Sequence, residues 1–297
     1  MLFYIHGGYL QWGDPNETPT AIAPLLSETA LRAILVAPAY RLNAFGFLAS
    51  KELAEEAKKN GEPVGNMGFW DQRMALEWTW RNASLFGGNQ RNITIAGYSA
   101  GSHSVFQQLA HELYFVPDNK AIIKRAIMWS NSPGVQPKRL DEHQKQFDEC
   151  VAALGISSSL PGEEKLKRLR SLSPAKLVSV QNSLKHSEFR ALSDGSFVST
   201  ESISNINSGD FAKRMKARGI RLMNGENRDE HHAYRSWRTP ANSYAAVYTR
   251  LCADYPETVV EKLMRHYCRG TQTLPAGYED WPHLFGHIYA DMQVHAL

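Results

Sequence analysis

The chain has 297 residues, 43% of them hydrophobic, enough to bury a sizeable core as one large domain or two smaller ones. Its 33 basic and 30 acidic residues leave a formal charge of +3, with acids and lysines mixed as in Lys51 to Lys59, so nucleic acid is not an expected partner. No apolar run approaches the roughly 18 residues that span a bilayer, and the three cysteines have no metal-binding spacing.

Leu2-Phe3-Tyr4-Ile5 reads as a short strand running into the glycine-rich His6-Gly7-Gly8-Tyr9. Met1 leads straight into that strand, so no secretory signal is visible and localisation stays open. Ala33 to Val36 reads as a second strand. The helix from Asp71 carries Met74, Leu76, Trp78 and Trp80, expected mostly to face inward. Asn92 to Ala96 reads as a buried strand, Ser102 to Leu109 as a helix and Ala126 to Trp129 as a further strand. This alternation, to about residue 132, predicts a parallel sheet flanked by helices. Residues 139–190 shift to charged helical sequence. Gly219 to Asn224 looks like the next strand, delivering Glu230 beyond its carboxyl end, and the remainder is predominantly helical. Cys150, Cys252 and Cys268 read as buried free thiols, with a Cys252–Cys268 pair as the alternative.

Between the strand at 92–96 and the helix at 102–109 lies Gly97-Tyr98-Ser99-Ala100-Gly101. Strand, Gly-x-Ser-x-Gly, helix is a nucleophile elbow, in which glycines make room for a strained turn that lifts the serine hydroxyl off the sheet. Acyl transfer develops charge on a carbonyl oxygen. Backbone N–H groups from the glycine-rich loop and from Ala100, at the helix start, are suited to meet it.

The chain resembles the type-B carboxylesterase/lipase family, which includes the cholinesterases. His6-Gly7-Gly8-Tyr9-Leu10-Gln11-Trp12-Gly13 is similar to its HGGGFxxG loop, and Tyr40 to Leu48 to its YRLGxFGFL segment. Asn66-Met67-Gly68-Phe69-Trp70-Asp71-Gln72 resembles NxGLLDQ, Phe86-Gly87-Gly88-Asn89 resembles FGGDP, and Ile93 to Gly101 resembles VTIxGESAG. Asn227-Arg228-Asp229-Glu230 resembles the NxDEG stretch that carries the acid. The resemblance implies an α/β-hydrolase fold with a mostly parallel central sheet. It implies Ser99 as nucleophile, Glu230 as the acid that orients a histidine, and an oxyanion hole built from Gly7, Gly8, Tyr9 and Ala100. It also implies an ester substrate and no metal or organic cofactor. It says nothing of oligomeric state.

Several positions depart from the pattern. Tyr9 stands where the family has a third glycine, and Asn43 where it has another, a position expected to be left-handed and one that asparagine tolerates. Tyr98 replaces the glutamate before the nucleophile, which argues against a cationic choline-type substrate. Arg41 and Asp71, in strongly matching segments with apolar neighbours, are expected to form a buried ion pair near the nucleophile strand. Residues 139–190 are expected to form a helical, cap-like insertion in one partial hydrolase domain that spans 1–297. The family's early strands and last strand find no counterpart, nor does its HGxELPYVF-like histidine segment. His103, His231, His283, His287 and His295 lie outside the expected motif. The expectation is an esterase sequence inactive as this polypeptide; the alternative is a non-catalytic binding protein of the same fold.

Overall fold

A computed structural model of the protein describes residues 1–16, 23–24, 26–131, 133 and 137–295. Among the described residues, five strands form one sheet: β1 (Leu2–Ile5), β2 (Leu35–Val36), β3 (Thr94–Tyr98), β4 (Arg125–Trp129) and β5 (Arg221–Gly225). Their spatial order is β2-β1-β3-β4-β5 and every pairing is parallel. The helix-flanked α/β architecture read from the sequence is therefore the one observed. Strand β3 lies at the centre, and Ile95, Ala96 and Gly97 on it are buried. The register sets Ile5 beside Gly97 and Gly97 beside Met128. The loops leaving β1 and β3 thus emerge side by side at the carboxyl ends of the strands, where open α/β sheets bind ligands.

The helix Ala100–Phe115 leaves β3 directly and is buried at every residue from Ala100 to Leu113. The helix Met67–Asn82 buries Phe69, Gln72, Arg73, Leu76 and Thr79, a spacing of three or four. Of the four residues expected to face inward, only Leu76 does; Met74, Trp78 and Trp80 are exposed at 68%, 54% and 39%. The reason is the helical period: at 3.6 residues per turn, side chains two apart diverge to opposite faces.

Arg41 and Asp71 do form an ion pair, with Nε and Nη2 each donating to a carboxylate oxygen at 2.8 Å. It is not buried, because the Arg41 side chain is half exposed. The apolar neighbours Phe47 and Phe69 turn into the core, which leaves the guanidinium facing outward. The buried pair in this region is Arg73 with Glu112, at 2.8 Å. Glu112 also accepts the backbone N–H groups of Ile122 and Ile123 at 2.9 and 2.6 Å, so its charge is matched on every side.

Residues 139–190 hold the helices Leu140–Ala153, Gly162–Ser171 and Pro174–Gln181. Beyond β5 come Glu230–Ser236, Tyr244–Cys252, Glu257–Tyr267 and Trp281–Gln293. These last four helices build a second core around Val247, Leu251, Val260, Phe285, Ile288 and Tyr289, which Tyr9 joins from the glycine-rich loop. All three cysteines are free, Cys252 only partly buried. Among the described residues, no helix is long and apolar enough to cross a membrane.

Candidate active site

Ser99 sits at φ 57° and ψ −126°, a conformation that side-chain-bearing residues rarely adopt. Its neighbours hold it there. Its N–H donates to the Trp129 carbonyl at 2.8 Å, and its own carbonyl accepts from His103 N–H at 3.1 Å. The two flanking glycines are sterically required. A Cβ on Gly97 would lie 2.3 Å from the Gly101 backbone, and one on Gly101 would lie 2.0 Å from the Ile5 carbonyl oxygen. The glycine spacing in the sequence therefore describes contacts between β3, the helix after it and β1.

The glycine-rich loop lies against this bend. A Cβ on Gly7 would approach the Tyr98 carbonyl oxygen to 2.7 Å and Ser99 Cβ to 3.2 Å. A tight turn follows, with Gln11 and Trp12 N–H donating to the Gly8 carbonyl at 2.8 and 3.1 Å. Gly8 has φ 105°, Tyr9 56° and Leu10 67°. The tyrosine at the expected glycine position thus keeps a left-handed backbone. So does Asn43, at φ 46°. Among the described residues, no acceptor meets the backbone N–H groups of Gly8, Tyr9 or Ala100.

The rear of the loop is fastened by residues the sequence did not mark. Gln11 donates its side-chain amide to the Tyr9 carbonyl at 3.1 Å and to the Phe189 carbonyl at 2.7 Å. Arg190 also donates to the Tyr9 carbonyl, and its guanidinium lies 5.7 Å from the centre of the Tyr9 ring. Arg190 is buried, and Asp254 neutralises it: Arg190 Nε, Arg250 Nη1 and the Tyr289 hydroxyl reach the Asp254 carboxylate at 2.5, 2.6 and 2.5 Å. Burial alone would raise the Asp254 pKa, but the two guanidinium groups overcome it and hold the carboxyl well below its usual range. Glu188, buried beside them, takes a further ion pair from Arg238. These partners lie far apart in sequence, and no local spacing announces them.

Glu230 begins the short helix beyond β5 and is 5% exposed. Its Oε1 accepts from Asn227 N–H at 2.9 Å and from the Asn227 side-chain amide at 3.2 Å. No described residue donates to Oε2. The Asn227 amide also reaches the Ser130 hydroxyl at 3.3 Å, which ties the acid loop to the end of β4. Burial, followed by the charge of Glu230, raises the pKa of Tyr98, the residue beside Ser99.

Ser99 faces two hollows. The outer, of about 620 Å³, is lined by Tyr4, Gly7, Gly8, Trp12, Tyr98 and Trp237 among others. The smaller inner one is bounded by Ala100, His103, Asn131, Arg190, Tyr234 and Gln293. The structure therefore brings Ser99, Gly7, Gly8, Tyr9 and Ala100 together. His103, four residues after Ser99, lines the inner hollow, but burial and then the charge of Arg190 push its pKa down to about 3. An imidazole so reluctant to take a proton is a weak general base.

Against known proteins, the sequence matches the carboxylesterase family over residues 1–291. The chain belongs to this family. A carboxylic ester hydrolase of Gibberella moniliformis is 56% identical over 297 residues, covering all of this chain and 54% of that protein. An uncharacterized esterase/lipase of Schizosaccharomyces pombe is 40% identical, again over all of this chain and 54% of the other. The chain thus spans about half the length of the curated family members it matches. A Geobacillus stearothermophilus carboxylesterase superposes with a TM-score of 0.66 at 26% identity, covering 89% of this chain and 51% of that one. A PNB esterase superposes at 0.70 with 24% identity, over 99% and 57% of the two chains.

Proposed function

We propose that these residues are the nucleophile-bearing part of a serine carboxylic-ester hydrolase. The observation that carries this reading is the left-handed bend at Ser99, set against a loop whose Gly8 and Tyr9 amides have no partner among the described residues. In the proposed reaction the Ser99 hydroxyl oxygen adds to an ester carbonyl. Gly8, Tyr9 and Ala100 N–H groups receive the developing oxyanion, with Gly7 keeping the loop close enough to reach it. The carbon–alcohol oxygen bond breaks, the alcohol leaves with a proton, and an acyl-serine remains until water releases the acid. Glu230 orients a histidine base through its Oε2 oxygen, and none of the described histidines stands in the family's motif for that base. Residues 139–190, proposed as a cap-like insertion, reach the inner hollow through Arg190.

Without that base the serine is a weak nucleophile, and loss of a triad histidine lowers turnover on the order of a millionfold. The 297 residues alone are therefore expected to be nearly inactive. A fluorophosphonate probe tests the nucleophile: it labels the full-length protein, and Ser99→Ala abolishes the label. If the soluble, folded protein stays unlabelled, the second reading, a non-catalytic binding protein, takes its place. What favours that reading is that the described histidine sharing the inner hollow with Ser99, His103, lies outside the family's histidine motif.

A further inference from the structure

The short helix Glu230–Ser236 and the helix Trp281–Gln293 pack closely, and Gly286 is what allows it. A Cβ at Gly286 would stand 2.4 Å from the His231 carbonyl oxygen. The approach brings His231 against His283 and His287, which lie one turn apart on the second helix. The Nε2 atoms of His283 and His287 are 3.1 Å apart. The rings of His231 and His287 stack with centroids 4.1 Å apart. One nitrogen from each of the three rings lies within 4.8 Å of the other two, and all three residues are half buried.

We propose that His231, His283 and His287 bind one divalent transition-metal ion of the zinc type. The reading is independent of the esterase proposal, since none of the three lines either hollow at Ser99. Metal–nitrogen bonds of about 2.0–2.1 Å at tetrahedral angles put neighbouring ligand atoms about 3.3 Å apart. The His283–His287 separation already falls near that value, and His231 closes the third corner by a side-chain rotation. Three imidazoles without a carboxylate select zinc, copper or nickel over calcium or magnesium. A water completes the shell. Tyr278 stands edge-on to both His283 and His287, at 5.7 and 5.5 Å between centroids, and walls one side.

Binding displaces two contacts. The hydrogen bond between His283 Nε2 and His287 Nε2 gives way to the metal. His283 Nδ1 accepts from Glu279 N–H at 3.2 Å; a metal on Nε2 moves the ring proton to Nδ1, and that long hydrogen bond is lost as well. The gain is a cross-link between the helix that opens with Glu230 and the helix behind it.

The test uses the full-length protein stripped of metal by a chelator. Titration with Zn²⁺ followed by calorimetry should give one ion per chain, and Co²⁺ should give the intense visible absorption of a tetrahedral imidazole site. The melting temperature should rise with Zn²⁺ concentration, as it must for a ligand that binds only the folded state. His231→Gln and His287→Gln should each weaken binding at least about tenfold. His232→Gln, whose ring lies 4.2 Å from that of His231, should leave binding within about twofold. If a ligand variant fails to fold, the cobalt spectrum of the unaltered protein decides. Absence of saturable one-to-one binding, or binding that survives both His231→Gln and His287→Gln, overturns the proposal.

Discussion

The molecule has two cores, and they are held together by different means. Around the sheet, geometry is enforced by backbone: glycines at 97 and 101 let the elbow helix lie on β1 and β3, and parallel register sets the loop after β1 beside Ser99. In the second core, beyond β5, apolar packing surrounds a charged centre of Asp254, Arg190 and Arg250. Tyr9 joins the two, lining the hollow at Ser99 while its ring packs in the second core. The contrast teaches that the same loop is shaped from the front by steric exclusion and fastened from behind by electrostatics.

The steric half is the easier to break. Gly101→Ala forces a methyl group to 2.0 Å from the Ile5 carbonyl, and neither backbone can yield without disturbing the sheet. Destabilisation of about 3 kcal/mol or more is expected from urea unfolding, together with loss of fluorophosphonate labelling. A variant of unchanged stability would mean that the close approach is not essential.

Asp254→Asn probes the electrostatic half. It keeps the shape but leaves two buried guanidinium groups with only the longer Glu188 contacts, 3.7 Å to Arg190 and 4.0 Å to Arg250, at a cost of about 3 kcal/mol. The pH dependence has a defined sign. Because the folded pKa of Asp254 is depressed, its contribution is fully present above the unfolded value of about 3.9 and fades as pH falls toward the folded one. The unaltered protein should therefore lose stability below about pH 4 more steeply than Asp254→Asn does, and parallel curves would sink the assignment.

The smallest effect sharpens the boundary between the two regions, where His103 sits. Its folded pKa of about 3 lies below the ordinary 6.5, so the unfolded chain takes up a proton first as pH falls. Across the single unit from pH 6 to 5, stability should decline by about 1.4 kcal/mol from this group. His103→Gln should lower the slope of urea stability against pH by about one proton across pH 6 to 5. His111, His143 and His186, each pushed down to about 4 by burial, supply the slope that remains.

The same contrast separates what could be read from the chain from what could not. The sheet, the elbow and the left-handed Asn43 follow from residues within a few positions of each other, so local pattern carries them. On the helix Met67–Asn82, Met74, Leu76, Trp78 and Trp80 stand at alternate positions, which a helix sends to opposite sides; the residues actually buried, Phe69, Gln72, Arg73, Leu76 and Thr79, keep helical spacing but include three polar side chains that a hydrophobicity count passes over. Arg190 and Asp254 are 64 residues apart, and His231 is more than 50 positions from its two facing histidines. Only the packing of four late helices brings such groups together, and that packing is a property of tertiary structure rather than of any window of sequence.

The left-handed bend at position 99 also bears on how this chain trades sturdiness against reactivity. A side-chain-bearing residue held there costs on the order of 1–3 kcal/mol of folding free energy, a sizeable share of the margin by which most domains stay folded. Glycine would occupy the same bend with no such strain, so a lineage that no longer used the hydroxyl would gain thermal resilience by discarding it.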